Sequence, residues 1–230
     1  MHIPDGLMDG GTSLAGGAIA SGGVTVCLRR TAAVLDERQV PMVGLTAAFV
    51  FAAQMLNFPV AAGTSGHILG GVLAAALVGP WAGALAVTVV LLVQALLFAD
   101  GGLSALGLNV INMALIGALG GYVVLIAVRA VLPRSRAALL AACAIAAATA
   151  PVMAAIAFTI EYATGGNGAA SVSAVGTAMI GVHALIGIGE GVITAITISA
   201  VLATRPDLVH VARHLRRATR GPVEPAAARP

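Results

Sequence analysis

Two of the five histidines sit where their neighbours give them unusual chemistry. His2 follows Met1 directly, so the α-amine, the His2 backbone nitrogen and the His2 imidazole can close two adjacent chelate rings on one ion. That set leaves one in-plane position, which a second imidazole such as that of His67 can fill. Tetragonal nitrogen sites suit Ni(II) or Cu(II), and by extension Co(II), rather than Mg²⁺ or Ca²⁺. Methionine removal normally requires a small second residue, so Met1 is expected to be retained with a free amine. Ile3-Pro4-Asp5-Gly6 supplies a rigid turn directly after the histidine. Taken singly, His2 also reads as a chance residue on a frayed terminus, and His67 as a helix-start residue. Only their meeting on one face would separate these readings.

The elements that must position them are membrane helices. Of 230 residues, 59% are hydrophobic and 9% charged, whereas soluble domains carry about 25% charged residues. Mean hydropathy is +1.01, so lipid is the expected solvent. About 20 apolar residues cross a bilayer. The apolar runs predict an all-α, polytopic membrane protein with about seven transmembrane helices: Gly11–Leu28, Pro41–Phe58, Ile68–Val78, Pro80–Phe98, Leu108–Val128, Ala137–Tyr162 and Thr177–Ala203. The first is glycine-rich and the third short. No signal-peptide pattern precedes them.

The net charge is +3, with no lysine and twelve arginines. The arginines sit at the ends of apolar runs, which argues against a nucleic-acid surface. With seven spans every arginine falls on one side, and the positive-inside rule makes that side cytoplasmic. The N-terminus is then outside and the C-terminus cytoplasmic. Residues 1–204 read as the transmembrane metal-binding domain and 205–230 as a basic cytoplasmic tail. On this topology His2 and His67 share the outer face, together with the loops Pro59–His67, Ala99–Gly107 and Ala163–Gly176.

Other polar residues need weighing. An ionisable group at a membrane helix centre costs about 2.5–3.5 kcal/mol, which makes His183 and Glu190 candidates. They lie two turns apart on one helix face. One reading is a buried polar pair that satisfies other helices. The other puts His183 behind the metal ligands and Glu190 against a partner subunit, too deep to join His2 and His67. Asn57, Gln94, Asp100, Asn109 and Asn112 cluster near outer helix ends, where they either orient the imidazoles or satisfy loop backbone. Cys27 and Cys143 read as buried small hydrophobes. His210 and His214 stand one turn apart in the tail, a spacing that can bind metal; an interfacial or frayed helix is the preferred reading.

The opening Met1-His2-Ile3-Pro4-Asp5-Gly6 resembles the cobalt/nickel substrate-specific component of energy-coupling factor transporters, the CbiM/NikM family. The likeness continues through Gln54-Met55-Leu56-Asn57-Phe58-Pro59, Gly63-Thr64-Ser65-Gly66-His67, Gln94-Ala95-Leu96-Leu97-Phe98, Asp100-Gly101-Gly102 and Asn109 to Asn112. It closes with His183-Ala184-Leu185-Ile186-Gly187 leading to Glu190. Two departures are a glycine-rich first span and Ala61-Ala62 in place of a Pro/Gly pair. The resemblance implies a multi-pass subunit of the cell membrane that captures Co²⁺, for cobalamin synthesis, or Ni²⁺. Its ligands would be the Met1 amine, the His2 backbone and side chain, and His67. It also implies a transmembrane coupling subunit, ATPase subunits and, in some systems, a small accessory membrane subunit. The ion is cargo, and no permanently bound cofactor is expected.

A chain without lysine contains no G-x-x-x-x-G-K-[ST] phosphate loop, so ATP hydrolysis by that route would belong to partners. No enzymatic activity is expected of this chain itself. The rival reading is an intramembrane serine protease, with Ser65 of Gly63-Thr64-Ser65-Gly66 as nucleophile and His183 as base. It leaves His2 and His67 idle.

Overall fold

A computed structural model describes residues 1–60 and 63–213. Ala61-Ala62, His214 and the rest of the tail lie outside the described residues. The fold is predominantly helical: α1 Gly10–Val34, α2 Val40–Gln54, α3 Gly71–Val78, α4 Pro80–Leu97, α5 Leu106–Val131, α6 Arg136–Gly165 and α7 Val172–Thr204. A minimal hairpin, β1 Phe58–Pro59 and β2 Ser65–Gly66, joins α2 to α3. Five helices, α1, α4, α5, α6 and α7, are long and apolar enough to cross a membrane. This is a multi-pass membrane protein.

The first helix is longer than its glycine content suggests, because its glycines are contact points. Gly16, Ala20 and Cys27 form a buried stripe of small residues. A Cβ on Gly16 would come within 2.4 Å of Leu108, and one on Gly107 within 2.4 Å of Gly17. Helices α1 and α5 therefore approach backbone to backbone, the use small residues have in membrane bundles. Asp9 caps α1 by accepting the Thr12 N–H at 2.7 Å.

The third apolar run is only partly helical. Helix α3 has eight residues and rises about 12 Å, too little for a hydrocarbon core of about 30 Å. Gly71 to Leu77 are all buried, so α3 packs inside the bundle, and residues 67–70 run in irregular backbone before it. Non-helical backbone at such depth must be satisfied by protein. Gln54 and Glu190 do this: Gln54 Nε2 donates to the Leu69 carbonyl at 2.7 Å, and Glu190 accepts the N–H of Leu69 and Gly70 at 2.8 and 2.9 Å.

Helix α5 contains a π-helical stretch, Ile111–Gly120, of the kind that often marks functional sites. Asn112 lies within it and donates to Glu161 at 2.7 Å. Both cysteines are buried and free. The chain after α7 makes two short turns, and Val209, Val211 and Ala212 pack into the core beside α3, α5 and α6. The start of the tail is therefore docked rather than frayed.

Candidate metal centre

The N-terminal residues enter the bundle. Met1 and Ile3 are fully buried and His2 is 4% exposed, which removes the frayed-terminus reading. Asn109 on α5 accepts the Ile3 N–H at 2.8 Å and donates to the Ile3 carbonyl at 3.2 Å. Gly102 N–H reaches the same carbonyl at 2.8 Å. The Asp5 carboxylate holds the following turn by accepting the Ser104 N–H and hydroxyl at 2.8 and 2.6 Å. Behind it, Leu7 and Asp9 exchange backbone bonds with Asn167 and Gly165, and Asn167 also donates to the Gly6 carbonyl.

The loop between α4 and α5 can lie against this segment only because it is small. A Cβ on Gly101 would stand 3.0 Å from His2 Nδ1, and one on Gly102 would stand 2.3 Å from the Asp5 backbone nitrogen. Gly101 also takes φ +92, in the left-handed region that favours glycine.

His67 meets this terminus from the loop before α3. The His2 and His67 rings stack with centroids 4.6 Å apart. His67 Nδ1 bonds the Ile68 carbonyl at 2.8 Å, and its Nε2 has no hydrogen-bond partner. A carbonyl only accepts, so the proton belongs on Nδ1 and the lone pair on Nε2. His2 Nε2 lies 3.5 Å from Asp100 Oδ2 without forming a hydrogen bond. Asn57 donates to the same carboxylate at 3.1 Å.

Burial disfavours protonation of these nitrogens. It holds the Met1 amine well below its ordinary value, against the opposing pull of Asp100 and Glu190. It pushes His2 down to about 2, helped by charge on the amine. His67 is lowered mainly by burial, then by the amine and His2. Asp100 moves up because burial outweighs the nearby amine and Asn57. Neutral nitrogen donors in a dry site are the state a metal needs. Among the described residues, no three His, Cys, Asp or Glu side chains gather into a metal-binding group. An ion held tightly here by protein alone would need main-chain nitrogen as well as imidazole.

The remaining candidates divide. Gln94 is fully buried and both its amide atoms lack partners. His183 is fully buried on α7, with Nδ1 bonded to the Met179 carbonyl and Nε2 unpartnered. Glu190 faces inward and is 1% exposed, so it offers no surface to a partner subunit. Its depth along α7 does not separate it from the site, because the chain after His67 descends to meet it. Ser65 Oγ has no hydrogen-bond partner; without a Ser65–His183 pair, the protease arrangement is not formed. His210 belongs to the opposite end, where a 310 Å³ cavity is lined by Thr31, Gln39, Trp81, Tyr122, His210 and Arg213.

The sequence reading overlooked Glu161, Ser104 and Asn167. The first two bond residues 49 and 99 positions away, a separation that leaves no local signal. Gln54 stood in a quoted motif but was given no role.

Known proteins resemble this chain in sequence and fold. A putative fused nickel transport protein from Archaeoglobus fulgidus is 42% identical over 213 residues, covering 91% of this chain and 68% of that protein. A cobalt transport protein from Sorangium cellulosum is 36% identical over 216 residues, covering 91% and 94%. The crystal structure of a transition metal transporter superposes with a TM-score of 0.82 at 29% identity, over 96% of this chain and all of that one. Residues 2–208 match the family model described as the cobalt uptake substrate-specific transmembrane region. The chain belongs to that family, CbiM.

Proposed function

We propose that this chain is the substrate-capture subunit of an energy-coupling factor transporter that imports Co²⁺ or Ni²⁺. The ion is held by the Met1 amine, the His2 backbone nitrogen and imidazole, and His67 Nε2. The observation that carries this reading is the buried stack of His2 and His67, 4.6 Å apart, beside a buried N-terminal amine whose charged form burial disfavours. Three nitrogens from the terminus and one from His67 make a near-planar set, which suits these two ions and rejects hard cations. Loss of the His2 amide proton on binding would leave the site with one net positive charge, which Asp100 beside His2 is placed to balance. A carboxylate behind a ligating imidazole also fixes its ring.

The chain captures rather than catalyses. Its described arginines gather at the end of the bundle opposite His2, with Arg30 over Trp81 and Arg136 bonded to Ser199. That asymmetry supports seven membrane passages with the metal site outside and the C-terminus in the cytoplasm. Driving the ion inward needs a transmembrane coupling subunit and ATPase subunits, with a small accessory membrane subunit in some assemblies. The names of the relatives include both metals, and planar nitrogen ligation accommodates both.

The test is to add one glycine before Met1 and titrate Co²⁺ and Ni²⁺ into the purified protein. Tight binding should disappear while thermal unfolding of the metal-free protein stays unchanged. Unaltered affinity in the extended chain would overturn the ligand set.

A further inference from the structure

The capture site leaves one fully buried imidazole unused. His183 Nδ1 meets the Met179 carbonyl at 2.8 Å, so the proton sits on Nδ1 and the lone pair on Nε2. His67 has the same tautomer for the same reason. Both Nε2 atoms are buried and unpartnered, although buried polar atoms are normally paired.

Three contacts bring the segments that carry the two rings alongside. Residues 64–70 run along one face of α7. At one end Thr64 Oγ1 donates to Met179 Sδ at 3.3 Å. At the other, Leu69 and Gly70 donate to Glu190. His67 lies between these anchors in the loop, and His183 lies between them on the helix, one turn beyond Met179. Each imidazole is within electrostatic range of the Met1 amine, and His67 of His183.

We propose that Nε2 of His67 and Nε2 of His183 form a second, weaker divalent-metal site directly inward of the capture site. This rests on the capture reading only in sharing His67. The ion would keep His67, release the Met1 amine and both His2 nitrogens, and gain His183. The ion's charge stays at +2, the His2 amide nitrogen recovers its proton from a water that leaves as hydroxide, and further water fills the vacated positions. Two imidazoles suit borderline ions such as Co²⁺ and Ni²⁺. With only two protein ligands, the site holds the ion weakly enough to pass it on.

The experiment uses Co²⁺ as probe and visible absorption as readout. In the full chain extended by one glycine, a residual Co²⁺ site at least about tenfold weaker than the native one should remain. That residual site should vanish in the extended His183→Gln protein. In the unextended chain, His183→Gln should keep tight Co²⁺ binding, which also serves as its folding control. Cellular Co²⁺ accumulation with the partner subunits should meanwhile fall at least about tenfold. His183→Leu, similar in bulk and without a donor, should behave the same way. Wild-type accumulation in both variants, or residual binding indifferent to His183, would overturn the second site. Absence of tight binding in the native chain would instead overturn the capture reading, and the residual-site titration would still decide this one.

Discussion

Asn109 clamps both backbone groups of Ile3, accepting its N–H at 2.8 Å and donating to its carbonyl at 3.2 Å. One side-chain amide thereby fixes the residue that follows His2. A chelate built on a chain terminus loses affinity to conformational freedom, and this clamp removes most of that freedom before an ion arrives. Asn109→Ala should weaken Co²⁺ or Ni²⁺ binding about 10–100-fold, mainly through faster release. Competition with a chelator of known affinity checks it, and an unchanged off-rate would count against the clamp.

His67 and His210 should behave oppositely. His67→Ala removes the unpartnered Nε2 lone pair beside His2 and should weaken binding about 100-fold. His210 lies in the cavity at the other end of the bundle, and His210→Ala should leave affinity within about twofold. Isothermal titration of both variants distinguishes them.

Glu190 supports backbone that no helix or sheet satisfies. Glu190→Gln replaces one carboxylate oxygen with an amide that cannot accept, so one buried N–H loses its partner. The expected loss is about 1–3 kcal/mol of stability, seen as a lower unfolding temperature in detergent. An unfolding temperature equal to that of the native chain would show that another group takes over.

Gly102 allows the α4–α5 loop to touch the Asp5 backbone. Gly102→Ala places a methyl within 2.3 Å of the Asp5 nitrogen and should push the N-terminal segment away from the loop. Metal affinity should drop more than about tenfold, with stability reduced by about 1–3 kcal/mol. Comparing the two losses shows whether the displacement reaches the site.

Stability should also depend on pH with a definite sign. Burial lowers the Met1 amine and both imidazoles, so the unfolded chain binds more protons than the folded one. Between about pH 8 and pH 7, where of these three groups chiefly the unfolded chain's amine takes up its proton, stability falls as pH drops. Thermal unfolding of the metal-free protein across this window should show a steady decline. A flat profile would mean that the nitrogens are protonated in place.

Much of this protein was legible in its residues. Composition made it a membrane protein, and helix-length apolar runs located the five long helices, most ends to within three residues but the end of α1 and the start of α7 short by six and five, because lipid demands continuous apolar, internally hydrogen-bonded segments. The pairing of residue two with His67 was suggested by arginine placement together with the chelating chemistry of a terminal histidine. What the residues could not reveal was how the third apolar run divides, since periodicity does not distinguish a buried helix from irregular backbone. Nor could they show that Glu190 serves that backbone, because 121 residues separate it from Leu69. Depth along a helix proved a poor guide to distance from the site once the loop itself descended. The sequence determined which chemistries were possible; long-range packing alone decided which polar groups were spent on backbone and which, like His67 and His183, kept a lone pair free.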